Sequence, residues 1–269
     1  MPYASFLDEL VITYGPVARL GRFFLDADQA LRQRGVTLSF GTMDELARTN
    51  AANRQSWLPL FPAFNPAFHA FDPARTVCFL GRNAAQEVVA THAVTLLDWR
   101  DSNFRDEAES LRLHYDDPAG MRRPGESCRV TAPSAARVSG RVAFTGAAWY
   151  RPDFRGRSLA SVLSPLARVY SLACWDPDFT VRMISEALVK KGFADECQVA
   201  NVEWSVDVVA SALDFPVPLV RLADDGPLEV CVRGDRRNSG QKTASTCRTR
   251  PNKNRISQSP ACIVSIYTV

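Results

Sequence analysis

Histidine and paired cysteines are scarce in this chain. It has three histidines, and its seven cysteines form no C-x-x-C pair and lie away from any histidine at metal-ligand spacing. Zinc sites and covalently attached haem depend on such spacings. We therefore expect no metal site, and we interpret the cysteines as reduced thiols that act as small hydrophobic residues in the core.

Long apolar runs are also missing. No run approaches the ~18 residues that a membrane-spanning helix needs, and Asp8 and Glu9 precede the first basic residue, which is the wrong flank for a secretory signal peptide. We expect no membrane partner and a cytoplasmic location. The 269 residues, 46% of them hydrophobic, are enough to bury a substantial core.

Positive charge is concentrated at one end of the chain. Residues 233–269 hold eight lysines and arginines against one acidic residue, whereas residues 1–232 are slightly acidic. We predict a single domain over 1–232, with residues 1–34 as a helical extension, and a basic tail over 233–269 without regular structure. The tail is open to three interpretations: a solvated segment, an arm that binds nucleic acid or another polyanion, or the product of a shifted reading frame.

Helical and strand patterns alternate along 1–232, which predicts a mixed α/β fold. Thr42 and Glu45 form a capping-box pattern at the start of one predicted helix. The proline-rich, aromatic segment 56–73 fits neither period and is interpreted as a buried irregular stretch that lines a pocket. The predicted helices are 16–35, 43–53, 104–115, 158–175 and 178–190, and the predicted strands are 35–40, 76–83, 87–99, 140–150, 199–209 and 228–232.

The stretch AWYRPDFRGRSLASVL (147–162) runs from a strand through a basic turn into a helix. A helix that starts directly after a strand presents free N–H groups and a partial positive charge, which bind phosphates well. Arg155 and Arg157 add cations, and Gly156 lets a ligand approach the backbone. The turn matches neither the Walker A pattern nor G-x-G-x-x-G. Together these features predict a diphosphate-binding turn.

The segment YRPDFRGRSLA resembles the acyl-CoA loop of the GNAT superfamily of N-acetyltransferases, in which a strand leads into [QR]-x-x-G-x-[GA] and then a helix. Arg155 occupies the first position of that core pattern and Ala160 the last. Ser158 stands where the family has glycine, and its hydroxyl is a candidate helix cap. The order of elements over about 35–210 is also similar. Pro165 leaves two alternatives: a helix from 158 that bends at the proline, which we favour, or a helix capped by Ser164 that begins at Pro165.

The resemblance implies a GNAT-like fold, with a mixed, mostly antiparallel central sheet flanked by helices on both faces. It implies acetyl-CoA or another acyl-CoA as co-substrate and direct attack by an amine, carried by a small molecule or a peptide, without a covalent enzyme intermediate. The alternatives are acyl-homoserine-lactone-type acyl transfer and a non-catalytic module that binds CoA or a protein partner. The implied cofactor-binding residues are Ala148, Trp149, Tyr150, Arg155, Gly156, Arg157, Ser158, Leu159 and Ala160.

Candidate catalytic groups are Glu203, within the predicted strand 199–209, and Tyr170, on the helix after the turn. Each has a simpler interpretation, Glu203 as a surface charge and Tyr170 as a core aromatic residue. His92, within ATHAV, is interpreted in the same way as a strand histidine without a catalytic role. The acceptor, the acyl length and the oligomeric state are not predicted.

Overall fold

The computed structural model describes residues 4–130 and 132–185, and beyond them the backbone of four strands. No helix in this part of the chain is both long and apolar enough to cross a membrane. The helices are α1 (Val17–Gln33), α2 (Met43–Ala52), α3 (Phe104–Glu109), α4 (Pro118–Met121) and α5 (Ala160–Trp175). The strands are β1 (Thr37–Gly41), β2 (Thr76–Arg82), β3 (Val88–Trp99), β4 (Ser127–Val130), β5 (Gly140–Tyr150), β6 (Phe179–Ser185), β7 (Glu203–Val209), β8 (Val217–Leu222), β9 (Asp224–Asp225) and β10 (Cys262–Thr268).

The described strands form one sheet in the order β1-β2-β3-β5-β6-β8-β7-β4, with β10 beside β6 and β9 beside β10. The neighbours pair antiparallel except β5 with β6 and β9 with β10. The sheet is therefore mostly antiparallel, as predicted. Among the longer described strands, β5 and β6 form the one parallel pair. They pair near the start of β5, and β5 then continues to Tyr150 before the basic turn and α5.

Hydrophobic clusters cover both faces of the sheet. On β2, Val77 and Phe79 pack into a cluster with α1 and α5, whereas Cys78 and Leu80 pack into a second cluster with α2, α3 and a short 3-10 turn at Pro62–Phe64. This alternation follows from the two-residue period of a strand. The prediction of helices on both faces is confirmed.

Local sequence signals predicted several elements well. Thr42 Oγ1 accepts a hydrogen bond from Glu45 N at 3.1 Å and caps α2. The predicted strands 76–83 and 87–99 correspond to β2 and β3, which form a hairpin that pairs from Thr76 with Thr95 to Arg82 with Val88. The helix after the turn begins at Ala160, two residues later than predicted, so Pro165 lies inside α5 and not at its first position, as the favoured alternative predicted.

Two helix predictions were wrong. In the helix predicted over 178–190, residues 179–185 instead form strand β6, and Asp178 accepts a hydrogen bond from Arg141 N at 2.8 Å, which holds β6 beside β5. The β-branched residues of FTVRMIS suit a strand. The helix predicted over 104–115 ends at Glu109, and Leu111 has a left-handed backbone with φ of 65°. Residues 186–202 and 228–232 lie outside the described residues.

The C-terminal region contains a strand that its composition did not predict. Cys262–Thr268 forms β10, which pairs antiparallel with the whole of β6, from Cys262 with Ser185 to Thr268 with Phe179. The strand at Cys262–Thr268 differs from the prediction of a tail without regular structure over 233–269. Residues 226–261 lie outside the described residues.

Candidate functional site

A cavity opens where β5 and β6 separate. Their pairing covers only Val142–Thr145 with Phe179–Arg182, although β5 continues to Tyr150 and β6 to Ser185. Residues from both diverging ends line one cavity of about 600 Å³, namely Gly146 to Tyr150 on β5 and Met183 and Ile184 on β6. Beyond Thr145, β5 pairs only with β3 among the described strands, so an extended ligand in the cavity can contact the main-chain groups of its other edge, whereas Ile184 and Ser185 of β6 pair with β8 and β10.

A bulge in β5 shapes the middle of this cavity. The β3–β5 register shifts between Thr91 and Ala93, and Ala147 has a left-handed backbone with φ of 50°. Thr91 Oγ1 donates a hydrogen bond to Ala147 O at 2.7 Å, which fixes the bulge. A bulge leaves one residue out of the ladder and changes the direction of the groups beside it. Ala147 and Ala148 both line the cavity.

The basic turn closes one end of the cavity. It consists of a 3-10 turn at Pro152–Phe154 followed by two left-handed residues, Gly156 with φ of 76° and Ser158 with φ of 51°. Among the described residues, no protein oxygen accepts from the main-chain N–H groups of 156–160. Helix α5 has no side-chain cap, so Ser158 does not serve as one. The turn therefore presents a set of free donors at the start of a helix, as an oxyanion site requires.

The structure brings most of the predicted cofactor-binding residues together. Arg157 lies outside the lining of this cavity. Tyr170 lies on α5 in the hydrophobic cluster beneath it, against Phe79 and Trp175, and burial beside Cys174 raises its pKa. The predicted residues that line the cavity are Ala148, Trp149, Tyr150, Arg155, Gly156, Ser158, Leu159 and Ala160.

Glu203 begins β7, where its backbone partner is Leu222 on β8. Its side chain lies outside the described residues. The structure therefore brings neither catalytic candidate to the cavity wall within the part of the chain that it describes.

The arginine side chains of the turn contact protein oxygens, which the sequence did not predict. Arg155 Nε donates to Tyr150 O at 3.0 Å, and its Nη2 donates to Ser56 O at 2.9 Å. Arg157 donates to Arg34 O and Asp153 O, both at 3.2 Å, and stacks on the Phe154 ring at 4.0 Å. Both guanidinium groups keep further N–H donors for an anion.

The charge of Arg151 is balanced locally. It binds Asp153 at 2.7 Å and Glu87 at 2.8 Å. Hydrogen bonds from this guanidinium hold the pKa of both carboxyl groups below their usual range. Because Arg151 is already paired with two carboxylates, Arg155 and Arg157 supply the positive charge at the turn.

The cavity interior contains a buried histidine beside an arginine. His92, on β3, is 1% exposed and lines the cavity together with Arg182 of β6. Burial, with a smaller contribution from the Arg182 charge, lowers the pKa of His92 to about 3, so the imidazole is neutral at physiological pH. Arg182 Nε in turn donates to Thr145 Oγ1 at 3.3 Å. The sequence predicted His92 to be a strand histidine without a catalytic role and did not place it in a site.

Aromatic residues form the remaining wall. Trp57 stacks on Trp149 with ring centroids 5.1 Å apart and planes 9° apart, and Trp149 Nε1 donates to Ser56 Oγ at 3.3 Å. Residues 56–61 line this cavity, and residues farther along the same segment line a second one. The prediction that the aromatic segment lines a pocket is confirmed for these residues.

Comparison with known proteins gives distant structural similarities. No protein-family model and no curated protein matches the chain. A dodecameric spermidine N-acetyltransferase from Vibrio cholerae is similar with a TM-score of 0.36 and 13% identity, over 62% of this chain and 80% of that chain. The GNAT domain of S. lividans PAT is similar with a TM-score of 0.35 and 14% identity, over 65% of this chain and 90% of that chain.

The described part of the chain has the GNAT-like order of elements that the motif implied. A strand and helix (β1, α2) precede a hairpin (β2, β3), which precedes β5, the basic turn and α5; the strand β6 that follows was not part of the predicted order. At these identities and TM-scores the solved structures add no detail, so the interpretation of the site depends on the motif and on the geometry above.

Proposed function

We propose that this protein is an acyl-CoA-dependent N-acyltransferase that transfers an acetyl group from acetyl-CoA to an amine. The free N–H groups of 156–160, at the end of a cavity between two separating parallel strands, are the observation that supports the proposal most. Such an array binds a diphosphate. The cavity between β5 and β6 then accommodates the pantetheine arm, with the thioester near the Ala147 bulge.

In this proposal, catalysis comes mainly from holding the amine and the thioester in contact. The neutral amine nitrogen attacks the thioester carbonyl carbon, the C–S bond breaks, and the products are the amide and the thiol of CoA. One proton leaves the attacking nitrogen and one reaches the thiolate, both by way of water or a side chain. Holding the two reactants in contact converts a bimolecular reaction into an effectively unimolecular one.

The groups that transfer these protons remain a proposal. His92 is neutral and lines the cavity, so it is available to hydrogen-bond to the acyl group or the amine. Tyr150 also lines the cavity and is a candidate proton donor to the thiolate. Glu203 stays a predicted base. Tyr170 is a weaker candidate than Tyr150, because it packs among core rings. The acceptor class and the cytoplasmic location stay predictions.

The test measures binding and turnover with the full chain. At a hundred times Kd, acetyl-CoA should stabilise the protein by about 2.7 kcal/mol. An amine panel should then release CoA thiol in proportion to the amide formed. If no acyl-CoA stabilises the protein, the acyltransferase proposal fails.

The alternative is a module that binds CoA without catalysis. One observation favours it: the cavity lining that the structure describes includes no Asp or Glu to accept a proton. Stabilisation by acetyl-CoA without thiol release for any amine would support this alternative. Thiol release without amide formation across the panel would instead indicate that water takes the acyl group. Acyl-homoserine-lactone-type transfer also forms an amide, and it would be indicated by turnover only with the amino group of a lactone precursor.

A further inference from the structure

Two arginines contact each other on the outer side of the basic turn. Arg34, which directly follows α1, donates from Nε to Arg157 O at 2.9 Å, and Arg157 donates from Nη1 to Arg34 O at 3.2 Å. Neither arginine lines the first cavity, whereas Ser158, the next residue of the turn, does. The reciprocal contact therefore joins the end of α1 to the side of the turn that lies outside the cavity.

One peptide unit separates Arg34 from the proposed diphosphate site. Arg157 O, to which Arg34 donates, and Ser158 N belong to the same peptide, and the carbonyl and N–H of a trans peptide point to opposite sides. Ser158 N is among the donors of 156–160 for which no described protein oxygen is an acceptor. A diphosphate on this N–H would therefore have the arginine pair directly across the chain.

The pair keeps donors that a ligand can reach. Arg157 is exposed, and Arg34 is half-buried. Apart from their mutual contact, Arg34 donates to Ala30 O at 2.6 Å and Arg157 donates to Asp153 O at 3.2 Å. A guanidinium group has five N–H donors. Each of the two arginines thus uses two donors in contacts with described residues and has three left for a ligand.

No carboxylate forms an ion pair with Arg34 or Arg157 in the part of the chain that the structure describes. The pKa of Asp153 is lowered chiefly by Arg151 and less by Arg157, and both of its oxygens accept from Arg151, at 2.7 and 2.9 Å. Two like charges held together without a counter-charge repel each other. An anion between the two guanidinium groups would remove this repulsion.

A phosphate monoester matches the pair in charge and in hydrogen bonding. At neutral pH it carries close to two negative charges, and it has three acceptor oxygens. Guanidinium groups bind phosphate through parallel N–H···O bonds, which a rigid fork of donors favours. The ligand of the proposed function carries one such group, because the ribose that follows the diphosphate of coenzyme A has a 3′-phosphate.

We propose that Arg34 and Arg157 bind the 3′-phosphate of coenzyme A and so select the complete coenzyme over forms that lack this phosphate. The inference rests on the proposed function and adds a specificity site to it. The pantetheine arm lies in the cavity, the diphosphate on the N–H groups of 156–160, and the nucleotide end on the outer side of the turn.

The experiment measures the affinity of the full chain for CoA and for dephospho-CoA, which lacks only the 3′-phosphate, by isothermal titration calorimetry. We expect CoA to bind about tenfold more tightly. Arg34→Gln and Arg157→Gln should each weaken CoA binding and leave dephospho-CoA binding nearly unchanged, so that the ratio of the two affinities falls towards one. Because the ratio is taken within each variant, a general effect of the substitution on the turn cancels.

Arg32→Gln is the matched control, because it removes the same charge two residues earlier in the chain, where Arg32 is bound to Asp28 at 2.6 Å. It should keep the ratio of the unmodified chain. The inference is overturned if the unmodified chain binds both compounds equally, if either Arg34→Gln or Arg157→Gln keeps the full ratio, or if Arg32→Gln lowers the ratio as much. Equal binding of both compounds would leave the acyltransferase proposal standing, whereas binding of neither would overturn both.

Discussion

At the scale of single residues, the basic turn contains two left-handed positions with different side chains. Gly156, with φ of 76°, adopts this conformation freely, and a Cβ added there would meet nothing within 4 Å. Ser158, with φ of 51°, carries a side chain in a conformation that costs an L-residue about 1–2 kcal/mol. This explains why the GNAT-like pattern has glycine at the position of Ser158.

We therefore predict opposite effects of substitution at these two positions. Ser158→Gly removes the strain and should stabilise the protein by up to about 1 kcal/mol, after the gain in unfolded-state entropy is subtracted. Gly156→Ala introduces the strain and should destabilise it by about 1 kcal/mol. Urea unfolding of both variants measures the difference. Destabilisation by Ser158→Gly would contradict the assigned backbone conformation.

Two buried histidines make stability depend on pH. The pKa of His92 and of His114 is lowered to about 3 in the folded protein, chiefly by burial. The unfolded chain binds these protons near pH 6.5, so below that pH the unfolded state holds more protons than the folded state. The stabilisation is complete above pH 6.5 and is lost as the pH falls towards 3.

Between pH 7 and pH 5, each of these histidines should therefore reduce the free energy of unfolding by an amount on the order of 2 kcal/mol. Urea unfolding at a series of pH values measures this slope. The double variant with His92→Gln and His114→Gln should have a flatter slope, whatever its absolute stability. An unchanged slope would show that neither imidazole is held neutral.

At the scale of elements, Arg155 joins the end of β5 to the aromatic segment 56–61. Its guanidinium bridges Tyr150 O and Ser56 O, and Trp149 Nε1 binds Ser56 Oγ beside it. A lysine keeps the charge but lacks the planar fork of donors that spans two carbonyl oxygens. The position of segment 56–61 therefore depends on Arg155, a side chain of the basic turn.

We predict that Arg155→Lys increases amide hydrogen exchange over 56–61 in the protein without ligand, while exchange in α5 stays unchanged. Arg100→Lys is a matched control, because Arg100 is exposed and its bonds to Asp98 lie away from the first cavity. Hydrogen exchange followed by mass spectrometry resolves these segments. Equal protection of 56–61 in both variants would show that the bridge does not hold the segment.

At the scale of the whole molecule, β10 is the last described strand along the chain, and it pairs with β6 in the middle of the sheet. β10 pairs with β6 along its full length, and β6 is also the strand that forms one wall of the first cavity. Without β10, the edge of β6 that β10 covers would expose a row of backbone donors and acceptors, which promotes aggregation. The basic region thus includes a segment with a structural role.

We predict that truncation after Pro260, which removes β10, lowers the thermal unfolding temperature and increases aggregation. Each of the cross-strand pairs that is lost contributes roughly 0.2–1 kcal/mol. Thermal unfolding with light scattering measures both effects. A truncated chain with the unfolding temperature of the full chain would show that residues after 260 do not stabilise the sheet.

The elements that depend on short, local sequence patterns could be predicted from the sequence. The Thr42 cap, the hairpin of β2 and β3 and the strand–turn–helix around Gly156 depend on neighbouring residues, and each is present. The local sequence of β6 suits a strand although a helix was predicted there, and its pairing with β5 and β10 could not be predicted because these partners are distant along the chain. The contact of Arg155 with Ser56 could not be predicted either, because these residues are also far apart in the sequence.

The candidate site was predictable to a similar degree. The turn and the end of β5 followed from the motif, because their residues are contiguous. The proximity of His92 to Arg182 and the second cavity around His69 and Thr95 depend on the register between strands, which a single sequence does not specify.

The central claim is that the N–H groups of 156–160 bind a diphosphate. A ¹H–¹⁵N correlation spectrum of the full chain, titrated with CoA and separately with pantetheine, which lacks the diphosphate, tests it most directly. The account predicts saturable shifts of the amide resonances of 156–160 with CoA and much smaller shifts of the same resonances with pantetheine. Binding of CoA that leaves these amides unperturbed, or equal shifts with both compounds, would contradict it.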